Sequence, residues 1–142
     1  MIASITGVVK SSLPTSAVIE VGGVGMLVNL PAKTAATLVV GKTAEIYTSL
    51  VVREDSLTLY GFESQLAREY FELLQSVSGI GPKVSQSALS IYEPEEIASA
   101  ISSGDSALLE RIPGLGKKGV QRLILELKDK VSGSSGVKNK SG

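Results

Sequence analysis

The chain has 142 residues and contains neither cysteine nor histidine, which excludes disulfides, zinc sites built on those ligands, and Cys–His or Ser–His–Asp catalysis. Fourteen basic and fourteen acidic residues cancel, so any binding of nucleic acid has to use local clusters of charge and backbone dipoles. With 43% hydrophobic residues the chain is globular, and it has neither a signal-peptide start nor an apolar run near the ~20 residues of a membrane-spanning helix, so we expect a cytoplasmic location.

The first 63 residues predict a small β-barrel. Short stretches rich in Val, Ile and Leu, bounded by turn residues, place strands near 2–10, 17–21, 25–30, 44–52 and 57–62. A glycine-rich turn at 22–25 separates the second strand from the third, and residues 32–39 predict a short helix. Five strands with such an insertion fit an OB-fold barrel over residues 1–63.

From Ser64 the hydrophobic period becomes helical, and Ser64 itself is a suitable N-cap. A further helix is predicted to begin at Glu93, where proline and acidic residues suit a first turn, and to end at Gly104. The last helix has a predicted apolar stripe of Val120, Ile124, Leu127 and Val131. Residues 64–131 are therefore predicted to be all-α, and the Ser/Gly/Lys-rich residues 132–142 to be a flexible linker or tail.

An internal repeat carries the strongest functional signal. Residues 77–83 (VSGIGPK) recur as residues 112–118 (IPGLGKK), and each copy has an apolar anchor, a Gly–hydrophobic–Gly turn and a helix that opens on a lysine. Glycines allow a sharp turn and a close approach to a partner, while the free N–H groups at the helix start and the lysine predict a phosphate site. Such contacts position DNA without reading its sequence. Two copies in one register favour a tandem helix-hairpin-helix module over an ordinary helix–helix turn.

Two other turns carry charged residues. The segment 51–62 predicts a β-hairpin with Arg53, Glu54 and Asp55 at its tip; by pattern alone this is a solvated turn, and two carboxylates make a poor metal site. Residues 40–43 resemble the end of a phosphate-binding P-loop, but Ala36 stands where the leading glycine belongs. Lys42 is therefore predicted to be a solvated turn residue.

Together these residues resemble the RuvA family. The resemblance rests on residues 19–25 (IEVGGVG), on the segment Val-Val-Arg-Glu-Asp…Leu-Tyr-Gly-Phe and on both hairpins in order, and it covers about residues 1–131. It implies an OB-fold followed by a tandem helix-hairpin-helix domain. It also implies a homotetramer that holds an open four-way (Holliday) junction, and two tetramers can sandwich the junction as an octamer on DNA. It also implies a non-catalytic subunit without a cofactor, which acts in recombination, repair and the SOS response to DNA damage with the ATP-driven motor RuvB and with RuvC.

The resemblance also assigns roles to individual residues. The first phosphate clamp would consist of Gly79, Gly81 and Lys83, and the second of Gly114, Gly116, Lys117, Lys118 and Arg122. Glu54 and Asp55 would form an acidic pin that repels phosphates at the crossover, and this replaces the solvated-turn interpretation. No metal site is implied.

Two departures from the family are visible in the sequence. Gly119 stands where many members have a hydroxyl residue after the lysine pair, which puts a side-chain contact there in doubt. Members also continue past the linker into a domain that binds RuvB, whereas this chain stops at Gly142. We therefore expect this chain not to bind RuvB.

Two alternatives of other classes stay open. A generic single-strand-binding OB protein needs aromatic platforms for the bases, and only Tyr47, Tyr60 and Phe62 lie in the β region, the last two as predicted core. A helix-hairpin-helix repair enzyme needs a catalytic acid or lysine in a pocket beside a hairpin, and no sequence feature marks one.

Overall fold

A computed structural model describes the backbone of residues 2–141 and the side chains of residues 2–131. The chain divides into two compact units, residues 1–70 and 71–142. The sequence places the boundary at 63/64 instead, where the hydrophobic period changes.

Five strands close a barrel in the first unit, in the order β1-β2-β3-β5-β4. They are β1 Ser4–Leu13, β2 Ser16–Val21, β3 Val24–Asn29, β4 Thr43–Arg53 and β5 Ser56–Phe62. Neighbouring strands are antiparallel except β3 and β5, which form a parallel bridge. Alternate residues of the strands face the interior. Together with Leu30, which follows β3, and Ala35, they form the barrel core of Ile5, Val9, Ala17, Ile19, Val28, Ile46 and Leu59. The predicted five-stranded barrel is confirmed.

Two of the predicted bounds in this unit are wrong. Strand β1 continues past residue 10 to Leu13, because a register shift between Val9 and Ser11 lets the strand keep pairing with β2 until Leu13 faces Ser16. The helix predicted over 32–39 is one turn, α1 Ala32–Ala35. The next N–H groups, of residues 37 and 38, bond three residues back, and this tighter pattern ends the helix.

The second unit is all-α, as predicted. The helices are α2 Gln65–Gln75, within which the two units divide, α3 Pro82–Ile91, α4 Pro94–Ser103, α5 Ser106–Leu109 and α6 Gly116–Ser141. The predicted N-cap of α2 is confirmed, since the Ser64 hydroxyl accepts from the Ala67 N–H at 3.1 Å. Helix α5 was not predicted, although its N-cap Asp105, which accepts from the Leu108 N–H at 3.2 Å, is a recognisable start signal.

The apolar stripe of α6 differs by one residue from its prediction. Val120, Leu123, Leu127 and Val131 are buried, whereas Ile124 is half-buried. Spacings of three and four residues keep this row on one face of a helix. The backbone of α6 continues to Ser141, where a linker from residue 132 is predicted, and no proline in that stretch stops a helix. Side chains beyond Val131 lie outside the described residues, so the flexible tail stays a prediction.

In the part of the chain that the structure describes, no helix is both long and apolar enough to cross a membrane.

Candidate nucleic-acid interface

The two copies of the repeat form closely similar turns. Gly79 and Gly114, the first glycines of the two copies, have φ values of 88° and 84°. A side chain at either position would be strained, because L-residues rarely adopt positive φ. The glycine spacing read from the sequence therefore marks a backbone requirement in both copies.

Equivalent hydrogen bonds close the two turns. The Ile80 N–H donates to the Val77 carbonyl at 3.1 Å, and the Leu115 N–H donates to the Ile112 carbonyl at 3.3 Å. All four side chains are buried. The apolar residues of each copy thus anchor the turn in the core and leave its first glycine, Gly79 or Gly114, exposed.

The second glycines of the two copies differ. Gly81 is extended, with φ −95° and ψ −179°, whereas Gly116 has φ 72°. Pro82 explains the difference, because a proline restricts the residue before it to extended backbone. Lys117 follows Gly116 and imposes no such limit. The two copies therefore share their buried apolar residues but differ in the backbone conformation that leads into the helix.

The predicted basic residues lie at the starts of α3 and α6. Lys83 is the second residue of α3, Lys117 and Lys118 follow the first residue of α6, and all three are exposed. Neither first turn contains an acidic residue, and α3 has no side-chain cap. Both helix starts therefore combine the N–H groups of a first helical turn with positive charge and no acidic side chain, which favours an anion.

The neighbouring helices show the opposite arrangement. Glu93 and Glu96 form a capping box at the start of α4, and Asp105 caps α5. Their own carboxylates already occupy these N-termini. Within the second unit, the uncapped start of α3 is thus distinguished from the starts of α4 and α5.

Each hairpin turn contacts the helix of the other. The Arg122 guanidinium of α6 donates through Nη1 to the Ser78 carbonyl at 3.3 Å, and the same nitrogen lies 3.3 Å from the place of a Cβ on Gly79. Reciprocally, Val84 Cγ2 of α3 lies 3.1 Å from the place of a Cβ on Gly114. The structure therefore brings Arg122, which the resemblance places in the second clamp, against the turn of the first.

Gly119 has a steric reason to be glycine. A Cβ at this position would lie 2.7 Å from Leu115 Cδ1 and 3.2 Å from its Cγ. Leu115 is the buried residue between the two glycines of the second turn. Its side chain occupies the space that the side chain of any larger residue at position 119 would need.

Glu54 and Asp55 form the turn between β4 and β5, beyond the last cross-strand pair, Arg53 with Ser56. Both carboxylate residues are exposed. They belong to the first compact unit, whereas all of the predicted clamp residues belong to the second.

One face of this hairpin holds a tyrosine with a perturbed pKa. Arg53 and Tyr60 lie on the same face of the β4–β5 ladder, because Arg53 pairs with Ser56 and side chains alternate along β5. Burial raises the pKa of Tyr60 above its ordinary value of 10.0, and the positive charge of Arg53 partly opposes the rise.

Among residues with described side chains, no three or more Asp and Glu residues are grouped so that they could hold a metal ion.

Lys42 is exposed, as predicted for a turn residue.

The chain matches two family models. Residues 1–61 match the RuvA N terminal domain, and residues 71–129 match the SAM-like helix-hairpin-helix tandem. The two models lie in the order that the sequence predicts.

Curated relatives are similar along most of the chain. Proteins named Holliday junction branch migration complex subunit RuvA are 54% identical over 131 residues in Salinispora arenicola and 52% identical over 131 residues in Streptomyces coelicolor. These alignments cover 92% of this chain, 66% of the Salinispora protein and 65% of the Streptomyces protein. The relative from Nocardioides sp., with the same name, is 46% identical over 142 residues, which is all of this chain and 71% of that protein. The chain thus spans about two thirds of the length of these relatives.

Proposed function

This chain belongs to the RuvA family, and we propose that it binds four-way junction DNA as the recognition subunit of a branch-migration complex. The relatives are named for such a complex. In this proposal the chain itself is not catalytic; it assembles as a homotetramer on the junction, and a separate ATP-driven motor moves the strands.

The observation that carries the proposal is the duplicated hairpin. Gly79 and Gly114 take the same left-handed conformation at the surface, and an exposed lysine follows each turn at a helix start without acidic residues. Two such turns on one module match two phosphates of a DNA backbone, because each supplies N–H donors and a positive charge at close range.

We assign the first clamp to Gly79, Gly81 and Lys83, and the second to Gly114, Gly116, Lys117, Lys118 and Arg122. The contact of Arg122 with Ser78 supports treating the clamps as one unit, because movement of one turn has to disturb the other. A single rigid unit fixes the distance between the two phosphates that it binds. We therefore expect the module to select a backbone geometry and not a base sequence.

We assign the acidic pin to Glu54 and Asp55. Their exposure beyond the last pair of β4 and β5 supports this role, because carboxylates on a projecting turn repel nearby phosphates. The phosphates of a duplex would come close to the two carboxylates of this turn and be repelled by them. The open centre of a junction, in contrast, leaves space for the turn between its strands. The pin then contributes selectivity, while the clamps contribute affinity.

The generic single-strand-binding function has less support. Stacking of bases needs exposed aromatic rings, and Tyr60 and Phe62 are only 6% and 1% exposed. Tyr47, the remaining aromatic residue of the barrel strands, is half-buried. The barrel of this chain therefore lacks a row of open aromatic platforms within its described strands.

A gel-shift comparison tests the proposal. The chain is titrated against a four-way junction, a linear duplex and a single strand of matched sequence, at two salt concentrations. We expect the junction to bind most tightly, and all affinities to fall as salt rises because phosphate contacts release counterions. Equal affinity for junction and duplex at both salt concentrations would contradict junction recognition.

A further inference from the structure

The β4–β5 hairpin exposes an apolar pair directly behind the acidic turn. Val52 and Leu57 are cross-strand partners, and the two residues are 56% and 72% exposed. Two residues further from the turn on each strand, Leu50 pairs with Leu59, which is buried in the barrel core. Only the Arg53–Ser56 pair separates Val52 and Leu57 from the turn that carries the two carboxylates.

These four residues lie on one face of the hairpin. Side chains alternate along a strand, so Leu50 and Val52 share a face of β4, and Leu57 and Leu59 share the matching face of β5. The apolar stripe of the barrel core therefore continues along the hairpin, and its last pair is left in water. We call Val52 and Leu57 the apolar pair.

The chemistry of this surface restricts what covers it. The apolar pair offers no hydrogen-bond donor, and two carboxylates stand beside it, so a phosphate is excluded as its partner. The surface of two aliphatic side chains is also far smaller than the roughly 800 Å² that each partner buries in a stable protein interface. The flat face of a base pair is uncharged, of suitable size and exposed wherever stacking is interrupted.

We propose that the apolar pair packs against the open faces of the base pairs at the junction crossover, while Glu54 and Asp55 keep the phosphates away. Apolar side chains of DNA-bending proteins insert at unstacked steps in this manner. This inference rests on the proposed function, because it requires the hairpin to lie at the crossover. It adds an attractive contact with the bases to a hairpin whose only assigned role is repulsion.

A thiol trap tests where the apolar pair lies. The chain has no cysteine, so Leu57→Cys introduces a unique thiol. Junctions carry a cytosine with a disulfide-bearing tether, either beside the crossover or one helical turn away in an arm. The introduced thiol displaces the tether's small thiol and leaves a protein–DNA disulfide. We expect trapping beside the crossover and none in the arm.

Leu27→Cys is the matched control, because Leu27 is 61% exposed on β3 and should trap at neither position. The full chain carrying Val52→Thr and Leu57→Thr provides a second measurement. We expect its affinity for the junction to fall roughly tenfold, the effect of about two methyl groups that stay in water. Binding to a linear duplex whose ends are closed by hairpin loops should be unchanged, because its base pairs are stacked on both faces.

The possible failures are distinguishable. If Leu57→Cys binds the junction as the unaltered chain does but is not trapped at the crossover, the inference is wrong and the proposed function stands. If the thiol instead links two protein chains without DNA, a second copy covers the apolar pair, and the inference is again wrong. If the unaltered chain does not prefer the junction over duplex, the proposed function fails, and the inference with it.

Discussion

Arg122 of α6 donates a hydrogen bond of 3.3 Å to the Ser78 carbonyl in the turn before α3. The same guanidinium nitrogen lies against Gly79, at the point where a side chain would project. An exposed arginine of one hairpin therefore also supports the backbone of the other. Because we also propose Arg122 as a DNA contact, we expect its mutation to have two effects that can be measured separately.

Arg122→Ala should loosen the first turn in the absence of DNA. An exposed hydrogen bond of this kind contributes about 1 kcal/mol, so we expect amide exchange of Ile80, whose N–H closes that turn, to accelerate by roughly fivefold. Nuclear magnetic resonance of the free protein measures the exchange. Lys117→Ala, which removes a nearby charge without this contact, is the control and should leave Ile80 unchanged.

Arg122→Lys separates charge from the supporting contact. Lysine keeps the positive charge but not the guanidinium geometry, so exchange at Ile80 should still accelerate while the salt dependence of DNA binding stays close to that of the unaltered chain. Exchange equal to that of the unaltered chain in both Arg122 variants would show that the hydrogen bond does not hold the turn.

The lysines at the helix starts should each bind a phosphate. In the double variant Lys83→Ala, Lys118→Ala, the slope of log K against log salt should flatten by roughly 0.9 for each phosphate that the protein no longer neutralises. Folding should be retained because both side chains are exposed. Lys42→Ala removes an exposed lysine of the first unit and serves as the control. An unchanged slope in the double variant would contradict the assignment of the clamps.

Much of this interface follows from local sequence. The Gly–hydrophobic–Gly pattern predicts the turns at Gly79 and Gly114 because a positive φ is a local property of the backbone. The difference between Gly81 and Gly116 was also predictable, since it depends only on the following proline.

Contacts that join distant residues could not be predicted in this way. Arg122 and Ser78 are 44 residues apart, and their contact depends on how the two hairpins pack. The exposed apolar pair was missed for a related reason. Alternation predicts which face of β4 and β5 is apolar, but not the point at which the barrel stops covering it.

Gly119→Ala tests the steric role of Leu115. Alanine improves helix propensity by about 1 kcal/mol, but its Cβ would lie 2.7 Å from Leu115 Cδ1, and overpacking of this kind costs about 1–3 kcal/mol. We expect a net loss of about 1 kcal/mol in the free energy of unfolding, measured with urea. In a Leu115→Ala background the same change should be stabilising, and equal effects in both backgrounds would rule out the coupling.

Tyr60 predicts a loss of stability in alkaline solution. Its pKa is raised in the folded state by burial, so the neutral ring stabilises the fold fully below the ordinary value of 10.0. That contribution is lost as pH rises above 10.0 and through the higher pKa of the folded state. Arg53→Gln removes the opposing charge and should raise the pKa of Tyr60 further. Absorbance of the phenolate, taken as the difference from a Tyr60→Phe variant, measures the titration, and a lower pKa in Arg53→Gln would contradict this placement of the charge.

Neutralising the pin should change selectivity more than stability. Glu54 and Asp55 are exposed at a turn, so Glu54→Gln with Asp55→Asn should leave the unfolding midpoint unchanged. Removal of the two negative charges reduces repulsion of phosphates, so binding to both junction and duplex should strengthen. The affinity for duplex should increase more, because duplex phosphates come close to the turn whereas the open centre of a junction keeps its phosphates away from it.

The salt dependence gives this prediction its test. Charges separated by more than about 10 Å are largely screened at 0.1 M salt, so the gain in affinity should be greatest at low salt and shrink as salt is raised. Glu45→Gln, which neutralises an exposed carboxylate of β4 away from the turn, is the control and should not alter the ratio of junction to duplex affinity. A pin variant that binds every substrate as the unaltered chain does, at both salt concentrations, would reduce Glu54 and Asp55 to a solvated turn.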